Sequence, residues 1–284
     1  MFKAKSLEFD TSTTQEKLAK MIDHTQLDPA AEYKKIEQLC DEALRYGFYA
    51  VCVNPCHVSR CTNLLNDSDV KIACVVGFPF GATTSEVKAL EARNAIENGA
   101  HEIDMVINVG ALRSGDYELV KRDIEGVVKA AQGKMVKVII ESGFLTDEEI
   151  VKACELSKEA GAHFVKTSTG FGPMGATPKH VKLMRKTVGK DMGVKAAGGI
   201  RDFRAALRLI KAGASRLGTT ASVPIIDGMD WMNFSDSWFV EEIPCKICPS
   251  RFARLDRLPS KVFNYYKEKC RTCPNKEYNR FYEK

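Results

Sequence analysis

The sequence predicts an α/β protein built as a closed (β/α)8 TIM barrel and followed by a small C-terminal extension. Eight short runs of apolar, β-prone residues recur along the chain, and a segment with helical periodicity follows each of them. Several runs are apolar on both faces, as expected for parallel strands that are covered on each side. Eight such alternations favour a barrel. An open doubly wound sheet remains the alternative, because periodicity does not report closure.

We expect the strands at 21–25, 49–55, 71–79, 102–110, 135–143, 163–171, 193–200 and 215–220. The first long helical segment follows the first of these runs, in residues 30–47. Its apolar side chains recur at helical spacing and form one stripe, made of Ile36, Leu39, Ala43 and Leu44. We expect that stripe to pack against the sheet.

Two later helices carry start signals. Thr84 or Ser85 can cap the N-terminus of a helix that closes at Gly99. Thr146 stands three residues before Glu149, which is the spacing of a capping box. We therefore expect both segments to be helical from these residues onward.

Length and composition are those of an ordinary folded protein. The chain has 284 residues, of which 28% are charged and 44% are hydrophobic, and it has ten cysteines. These values exclude a disordered, collagen-like or disulfide-packed chain. No apolar run reaches roughly 18 residues, and the charged N-terminus has no apolar core. We therefore expect neither a membrane span nor a secretory signal, and we expect the reducing cytoplasm as the location.

Three charged residues interrupt the predicted strands where barrel active sites lie, at the C-terminal ends. Lys166 and Lys195 occupy neighbouring strands, about 4.8 Å apart, and Asp104 lies two strands before Lys166. Burial and the like charge of a neighbour both lower the pKa of a lysine, and an amine of lowered pKa is suited to Schiff-base chemistry. Lys137 and Glu141 are further inward-facing polar candidates on the intervening strand. The alternative interpretation is a solvated layer of ion pairs at the barrel mouth.

Glycine-containing segments follow the last three strands, at 168–177, 196–202 and 217–222. Glycine lets backbone N–H groups approach an anion closely, and barrels often bind phosphate after strands 7 and 8. Gly198, Gly199, Gly218 and Thr220 fall at these positions and predict a phosphate site. Turn geometry alone is the alternative reason for the glycines.

The sequence as a whole resembles that of a known family. Its motifs IDHTQLDP, VCVNP, VVGFPFGATTSEVK, EIDMVINVGAL, KVIIESG, FVKTSTGF, GVKAAGGIRD and RLGTT are similar, in order and spacing, to those of deoxyribose-phosphate aldolases. The similarity covers residues 18–223. It implies a (β/α)8 class I aldolase that reversibly cleaves 2-deoxy-D-ribose 5-phosphate to D-glyceraldehyde 3-phosphate and acetaldehyde, with no catalytic cofactor. Alternatives are a class I aldolase for a related sugar phosphate and a catalytically silent barrel.

The resemblance also assigns roles. It implies that Lys166 forms the Schiff base, that Lys195 perturbs it and relays protons, and that Asp104 transfers protons. The residues expected to contact substrate or its phosphate are Asp23, Thr25, Cys52, Lys137, Thr169, Gly170, Gly198, Gly199, Gly218 and Thr220. Many family members end in a short tail with a catalytic tyrosine. Here a longer extension replaces that tail, and nothing aligns Tyr282 with the tyrosine.

The extension predicts a metal site. We place the barrel at 1–228 and the extension at 229–284, which contains the zinc-ribbon-like spacing C-x2-C-x21-C-x2-C. This spacer is slightly longer than the about 15–20 residues of four-cysteine zinc sites. Four thiolates suit a closed, tetrahedral structural Zn²⁺ site, although iron fits the same ligands. The expected ligands are Cys245, Cys248, Cys270 and Cys273.

The positive charge of the chain lies in the same extension. Residues 243–284 hold 11 Lys and Arg against 4 Asp and Glu, a net charge of +7, and the remaining residues net −2. We expect the extension to pack on the barrel or to mediate contact in a homo-oligomer. A fused protein- or nucleic-acid-binding module is the alternative. Because a solvated basic face would have the same composition, no nucleic-acid partner is expected beside the phosphorylated sugar.

Overall fold

The barrel prediction is confirmed in a computed structural model of the protein, which describes residues 15–237 and their side chains as far as Met229. Its strands are β1 Ile22–Gln26, β2 Ala50–Val53, β3 Lys71–Val76, β4 Glu102–Val106, β5 Met135–Ile139, β6 Phe164–Lys166, β7 Gly193–Ala197 and β8 Arg216–Thr219. All eight are parallel and hydrogen-bonded in chain order, and β8 pairs with β1. The sheet is therefore closed, and the open doubly wound alternative is excluded.

Helices occupy the connections between the strands, and one further helix precedes β1 and another follows β8. They are α1 Gln15–Ala19, α2 Tyr33–Tyr46, α3 Val58–Leu64, α4 Ser85–Glu97, α5 Val109–Arg113, α6 Tyr117–Ala130, α7 Asp147–Glu159, α8 Pro178–Val188, α9 Phe203–Lys211 and α10 Ser222–Ser237. Short 3₁₀ turns at Pro55–His57 and Ser142–Phe144 add to two of the connections. Within residues 15–237, no helix is long and apolar enough to cross a membrane.

The helix signals predicted from the sequence are largely present. Thr84 is the N-cap of α4, and Thr146 and Glu149 form both hydrogen bonds of a capping box at the start of α7. The stripe expected on α2 is wrong at one position, since Leu44 is 45% exposed and Cys40 is buried instead. At 3.6 residues per turn, position 44 lies about 40° further round the helix than position 40, so Leu44 falls beyond the edge of the buried face.

The apolar core lies mainly between the sheet and the helices, where outward-facing strand residues meet the buried faces of the helices. Inside the barrel, a much smaller apolar cluster packs on the side of β1–β3, and its members are Leu27, Cys52, Ala73, Val75 and Phe78. The remaining part of the interior is lined by charged side chains. This division confines the candidate chemistry to one side of the barrel.

The last described helix passes the domain boundary that we expect at residue 228. Helix α10 runs from Ser222 to Ser237, and the compact barrel unit ends at Asn233. The four cysteines of the predicted metal site, Cys245, Cys248, Cys270 and Cys273, lie outside the described residues, as does Tyr282.

Candidate active site

A connected set of charged side chains crosses the barrel interior, and we call it the charge ladder. Its members are Asp23, Glu102, Asp104, Lys137, Lys166, Lys195 and Arg216. None of them is more than 6% exposed. Strand register brings them to matching levels, because Asp104 pairs with Lys137 and Lys166 pairs with Lys195. Such a set is stable only when each charge is paired, because an unpaired buried charge is costly.

Asp104 is the centre of the ladder. Its Oδ2 lies 2.8 Å from the Nζ of both Lys166 and Lys195, and its Oδ1 lies 2.7 Å from the Nζ of Lys137. Burial alone would raise the pKa of Asp104, but the three ammonium groups outweigh burial and hold that pKa well below its usual range. The carboxylate is therefore ionised and bridges the two lysines named in the sequence prediction.

Asp23 holds Lys195 from the other side. The Lys195 ammonium donates to Asp23 Oδ2 as well as to Asp104. Burial opposes the charged amine, yet the two carboxylates outweigh burial and raise the pKa of Lys195 above its usual value. The expectation of a lowered pKa is therefore wrong for Lys195. The neighbouring carboxylates, which strand periodicity does not locate in space, decide the direction.

Arg216 and Glu102 form the deepest part of the ladder, and the sequence analysis did not single out either of them. The Arg216 guanidinium donates to Asp23 Oδ1 at 2.9 Å and lies 3.6 Å from Glu102. It also stacks over the Tyr49 ring at 3.5 Å, a favourable cation–π contact. For Glu102 the sequence did contain a signal, because this residue precedes Asp104 by two positions and so lies on the same face of the strand.

The other expected substrate contacts divide into buried and exposed groups. Cys52 is fully buried, with its Sγ 4.0 Å from Asp104 Oδ2, and burial raises the pKa of its thiol. Lys137 is also fully buried and contacts Glu102 and Asp104 in the ladder. Half-buried Thr25 donates its hydroxyl to the Asp23 carbonyl at 2.9 Å.

The glycine segments meet at the barrel mouth. Gly170, Gly199 and Thr220 are exposed there, and Gly198 is half-buried. Gly218 is buried beside the ladder, and a Cβ at that position would lie 2.9 Å from the Lys195 Cε.

The loops after β6 and β7 touch each other at the mouth. The Ala176 N–H donates to the carbonyls of Ala197 and Gly198 at 3.1 and 3.0 Å. A Cβ on Gly175 would lie 2.2 Å from the Gly198 oxygen, so this approach requires glycine. The loops at 168–177 and 196–202 therefore form one continuous rim at the mouth, which we call the glycine rim.

Glu141 follows β5 and adopts a left-handed backbone, with φ 51° and ψ 58°. For a residue other than glycine, this conformation costs roughly 1–3 kcal/mol and often marks a functional site. Its buried carboxylate accepts hydrogen bonds from the Thr169 N–H, at 3.1 Å, and from the Thr169 hydroxyl. Glu141 and Thr169 also line a pocket of about 250 Å³, together with Val106, Phe80 and Phe171.

This arrangement suits proton-coupled addition of an amine to a carbonyl. Lys166 lies at the end of β6, and its Nζ shares one carboxylate oxygen with the charged Lys195. A proton can therefore move between the two lysines through Asp104, as general acid–base catalysis requires. The glycine rim lies near the same opening.

Comparisons with known proteins agree with this geometry. Residues 17–222 match the model of the DeoC/LacD family aldolases. The chain is 61% identical to the deoxyribose-phosphate aldolase of Thermococcus gammatolerans, over 74% of this chain and 96% of that protein. It is 58% identical to the deoxyribose-phosphate aldolase of Clostridium perfringens, over 75% and 96% of the two chains.

A solved structure gives the same result. The deoxyribose phosphate aldolase of Aeropyrum pernix superposes with a TM-score of 0.73 at 36% identity, and the match covers 77% of this chain and 93% of that one. The barrel, the charge ladder and the sequence matches lead to one conclusion. The chain belongs to the DeoC/LacD family of aldolases.

Proposed function

We propose that the protein is a deoxyribose-phosphate aldolase. It reversibly cleaves 2-deoxy-D-ribose 5-phosphate to D-glyceraldehyde 3-phosphate and acetaldehyde through a Schiff base on Lys166. The relatives at 57–61% identity support this substrate. The observation that carries the mechanism is the contact of Asp104 Oδ2 with both Lys166 and Lys195 at 2.8 Å.

The charge ladder supports an uncharged amine at Lys166. Three carboxylates contact four basic side chains in the ladder, so its charges balance when one basic group is neutral. Lys166 contacts a single carboxylate, whereas Lys137, Lys195 and Arg216 each contact at least two. A neutral Lys166 therefore removes fewer ion pairs than a neutral form of any other basic side chain in the ladder. A neutral amine is also the nucleophile that the reaction needs.

The first step joins the Lys166 nitrogen to the C1 aldehyde of the open-chain sugar. Lys195 is held charged by Asp23 and Asp104, so it can donate, through Asp104, the proton with which the carbinolamine hydroxyl leaves as water. The product is an iminium ion. That cation draws electrons from the neighbouring carbon, so no metal ion is needed as a Lewis acid.

The bond between C2 and C3 then breaks, because only this cleavage leaves two carbons on Lys166. The C3 hydroxyl loses its proton and becomes the aldehyde of glyceraldehyde 3-phosphate, while the electron pair of the broken bond forms an enamine. Protonation of the enamine at C2, followed by addition of water, releases acetaldehyde and restores the amine. Asp104 and Lys195 are the nearest described groups that can relay these protons.

The glycine rim holds the phosphate in this proposal. Gly170, Gly198, Gly199 and Thr220 lie at the open end of the barrel, where backbone N–H groups can surround an anion. Half-buried Thr25 contacts the sugar, whereas the fully buried Asp23, Cys52 and Lys137 contact Lys195 or Asp104 and support them from within the barrel. The phosphate therefore orients the sugar with its aldehyde toward the ladder.

Borohydride reduction tests the chemistry. Treatment with acetaldehyde and borohydride should add two carbons irreversibly to Lys166, located by peptide mass spectrometry, and Lys166→Leu should abolish both adduct and cleavage. Full cleavage by Lys166→Leu would overturn the mechanism. A panel of related sugar phosphates separates the preferred substrate from the alternative class I aldolases, and an inert barrel would leave no adduct.

The extension at 229–284 is the second part of the proposal. Its four-cysteine spacing supports a structural Zn²⁺ site at Cys245, Cys248, Cys270 and Cys273. Within residues 15–237 there is no cluster of His, Cys, Asp and Glu able to hold a metal. We expect about one zinc per chain by elemental analysis, lost in the variant C245S/C248S, with the Lys166 adduct retained. Metal content unchanged by that variant would overturn the assignment.

Assembly and location complete the proposal. The relative from Aeropyrum pernix is described as tetrameric, which supports a homo-oligomer here, and light scattering of the purified full chain tests it. The mature enzyme is proposed to act in the cytoplasm, which fractionation of the source cells would test.

A further inference from the structure

We infer that Glu141 is a positioning residue that sets the selectivity of the enzyme for phosphorylated substrates. It does so through the loop 168–177, which joins β6 to α8 and contains part of the glycine rim. This inference rests on the proposed function, because it takes the rim to be the phosphate site. None of the assigned catalytic or substrate-binding roles includes Glu141.

Glu141 holds the first half of the loop by hydrogen bonds. Its Oε2 accepts from the Thr169 N–H at 3.1 Å and from the Thr169 hydroxyl. The Thr169 oxygen in turn accepts from the Phe171 N–H at 3.0 Å. One carboxylate oxygen thereby fixes the backbone on both sides of Gly170, a predicted phosphate contact.

The loop also rests directly on the carboxylate. A Cβ on Gly172 would lie 2.8 Å from the Glu141 Cδ, so glycine is required for the loop to come this close. The second oxygen of Glu141, Oε1, is buried and has no hydrogen-bond partner among the described residues. Glu141 thus acts on the loop through one oxygen and through direct packing.

The second half of the loop contacts the rest of the glycine rim. Ala176 donates to the carbonyls of Ala197 and Gly198, and Gly175 packs against Gly198. Beyond Gly199, the Ile200 carbonyl accepts from the Thr219 hydroxyl at 2.7 Å. The loop is therefore clamped between Glu141 on one side and the β7 and β8 connections on the other.

The reacting lysine is held by contacts that do not use the Glu141 side chain. The Lys166 carbonyl accepts from the Ile140 N–H at 3.0 Å, and the next carbonyl, of Thr167, accepts from the Ser142 N–H at 2.8 Å. The Lys166 Nζ is held by Asp104 Oδ2 at 2.8 Å. Releasing the loop should therefore weaken phosphate binding while Schiff-base formation at Lys166 continues.

The variant Glu141→Gln tests this separation. Its amide oxygen can still accept from both Thr169 donors, but it is an uncharged and weaker acceptor than the carboxylate, and neither hydrogen bond forms where its NH₂ group faces Thr169. The assay measures kcat/KM with 2-deoxyribose 5-phosphate and with unphosphorylated 2-deoxyribose. We expect the ratio of the two values to fall about tenfold or more, mainly through a higher KM for the phosphorylated sugar.

Glu91→Gln is the matched control. Glu91 accepts from the Gly77 N–H at 2.7 Å and so holds the loop after β3, which meets the 168–177 loop at the edge contact of Phe78 with Phe171 but contributes no residue to the glycine rim. Its ratio should equal that of the unaltered chain. An equal loss with both sugars in Glu141→Gln, or no loss with either, would overturn the inference. Thr169→Val removes the hydroxyl that donates to Glu141 and should also lower the ratio. The double variant should lose no more than Glu141→Gln alone, and additive losses would show that the two residues do not act through one hydrogen bond.

Calorimetric titration with inorganic phosphate separates this inference from the proposed function. Absence of cleavage by the unaltered chain would overturn the proposed function alone. Phosphate should still bind at least fivefold more weakly to Glu141→Gln than to the unaltered chain and to Glu91→Gln. Equal phosphate affinity in all three proteins would overturn the role of Glu141.

Discussion

Replacing Arg216 with methionine tests whether this arginine, at the end of the charge ladder opposite the barrel mouth, supports the proton transfer at Lys195 and Lys166. Methionine fills much of the same volume, so the change removes mainly the charge and its hydrogen bonds. Asp23 then loses the guanidinium that lies 2.9 Å from its Oδ1, and Glu102 loses a cation at 3.6 Å. Both carboxylates remain buried.

The expected magnitude follows from the burial of these groups. Removing one partner of a buried ion pair costs about 3–5 kcal/mol. For a barrel of this size each kcal/mol lowers Tm by about 2–4 °C, so we expect a decrease of about 10 °C. Asp23 also orients Lys195, and loss of about 1.4 kcal/mol of that orientation would lower kcat tenfold.

Thermal unfolding and steady-state cleavage measure the two effects, with Arg185→Met as the control. Arg185 is a partly buried arginine that donates to the carbonyls of Gly189, Met192 and Gly213, outside the ladder. Its loss should lower Tm and leave kcat within twofold. If Arg216→Met loses stability but keeps its kcat, loss of the Arg216–Asp23 contact does not change the orientation of Lys195. If it loses neither, the reasoning on buried charge fails.

Three further predictions concern the same barrel. The pair Lys88–Asp123 is buried between α4 and α6 at 2.5 Å, so K88M or D123L alone should cost about 3–5 kcal/mol in chemical denaturation, and the double variant should recover much of it. Additive losses would contradict this. Gly218→Ala places a Cβ 2.9 Å from the Lys195 Cε, so kcat should fall at least about tenfold by displacement of that amine; an unchanged kcat would show that Lys195 tolerates the shift. The folded state holds the pKa of Asp104 below its unfolded value, so its contribution to stability is present at neutral pH and is lost as pH falls below about 5. Urea unfolding at pH 3 to 7 should show this slope, reduced in D104N, and a flat profile would refute it.

The fold could be predicted because each strand of the barrel is covered on both faces and each connection carries its own helix. The run that contains Val75 is apolar in both parities, and the runs that contain Val138 and Val194 are each interrupted by one lysine; such runs mark parallel strands without reference to their neighbours. The α2 stripe failed at Leu44 because this residue lies at the edge of the apolar face, where periodicity does not tell whether a side chain reaches the sheet.

The site could be predicted only in part. Lys166, Lys195 and Asp104 interrupt apolar strands, so the pattern of residues alone makes them visible. Arg216 and Glu141 act through partners that are brought close by closure of the sheet or by a loop conformation. No local sequence pattern reports that Arg216 reaches Asp23, from which it is separated by 193 positions.

That separation links catalysis to the last event in folding. Asp23 lies in the first strand of the barrel and its partners Lys195 and Arg216 lie in the last two, so these ion pairs have nearly the highest contact order that the barrel allows. Contacts of this kind form late, since the whole intervening chain must be ordered first. During synthesis or refolding, Arg216 is not beside Asp23 until β8 has paired with β1, and until then the ladder is incomplete. A borohydride-trappable amine at Lys166 should therefore appear together with the β1–β8 seam, which would make Schiff-base formation a chemical reporter of barrel closure.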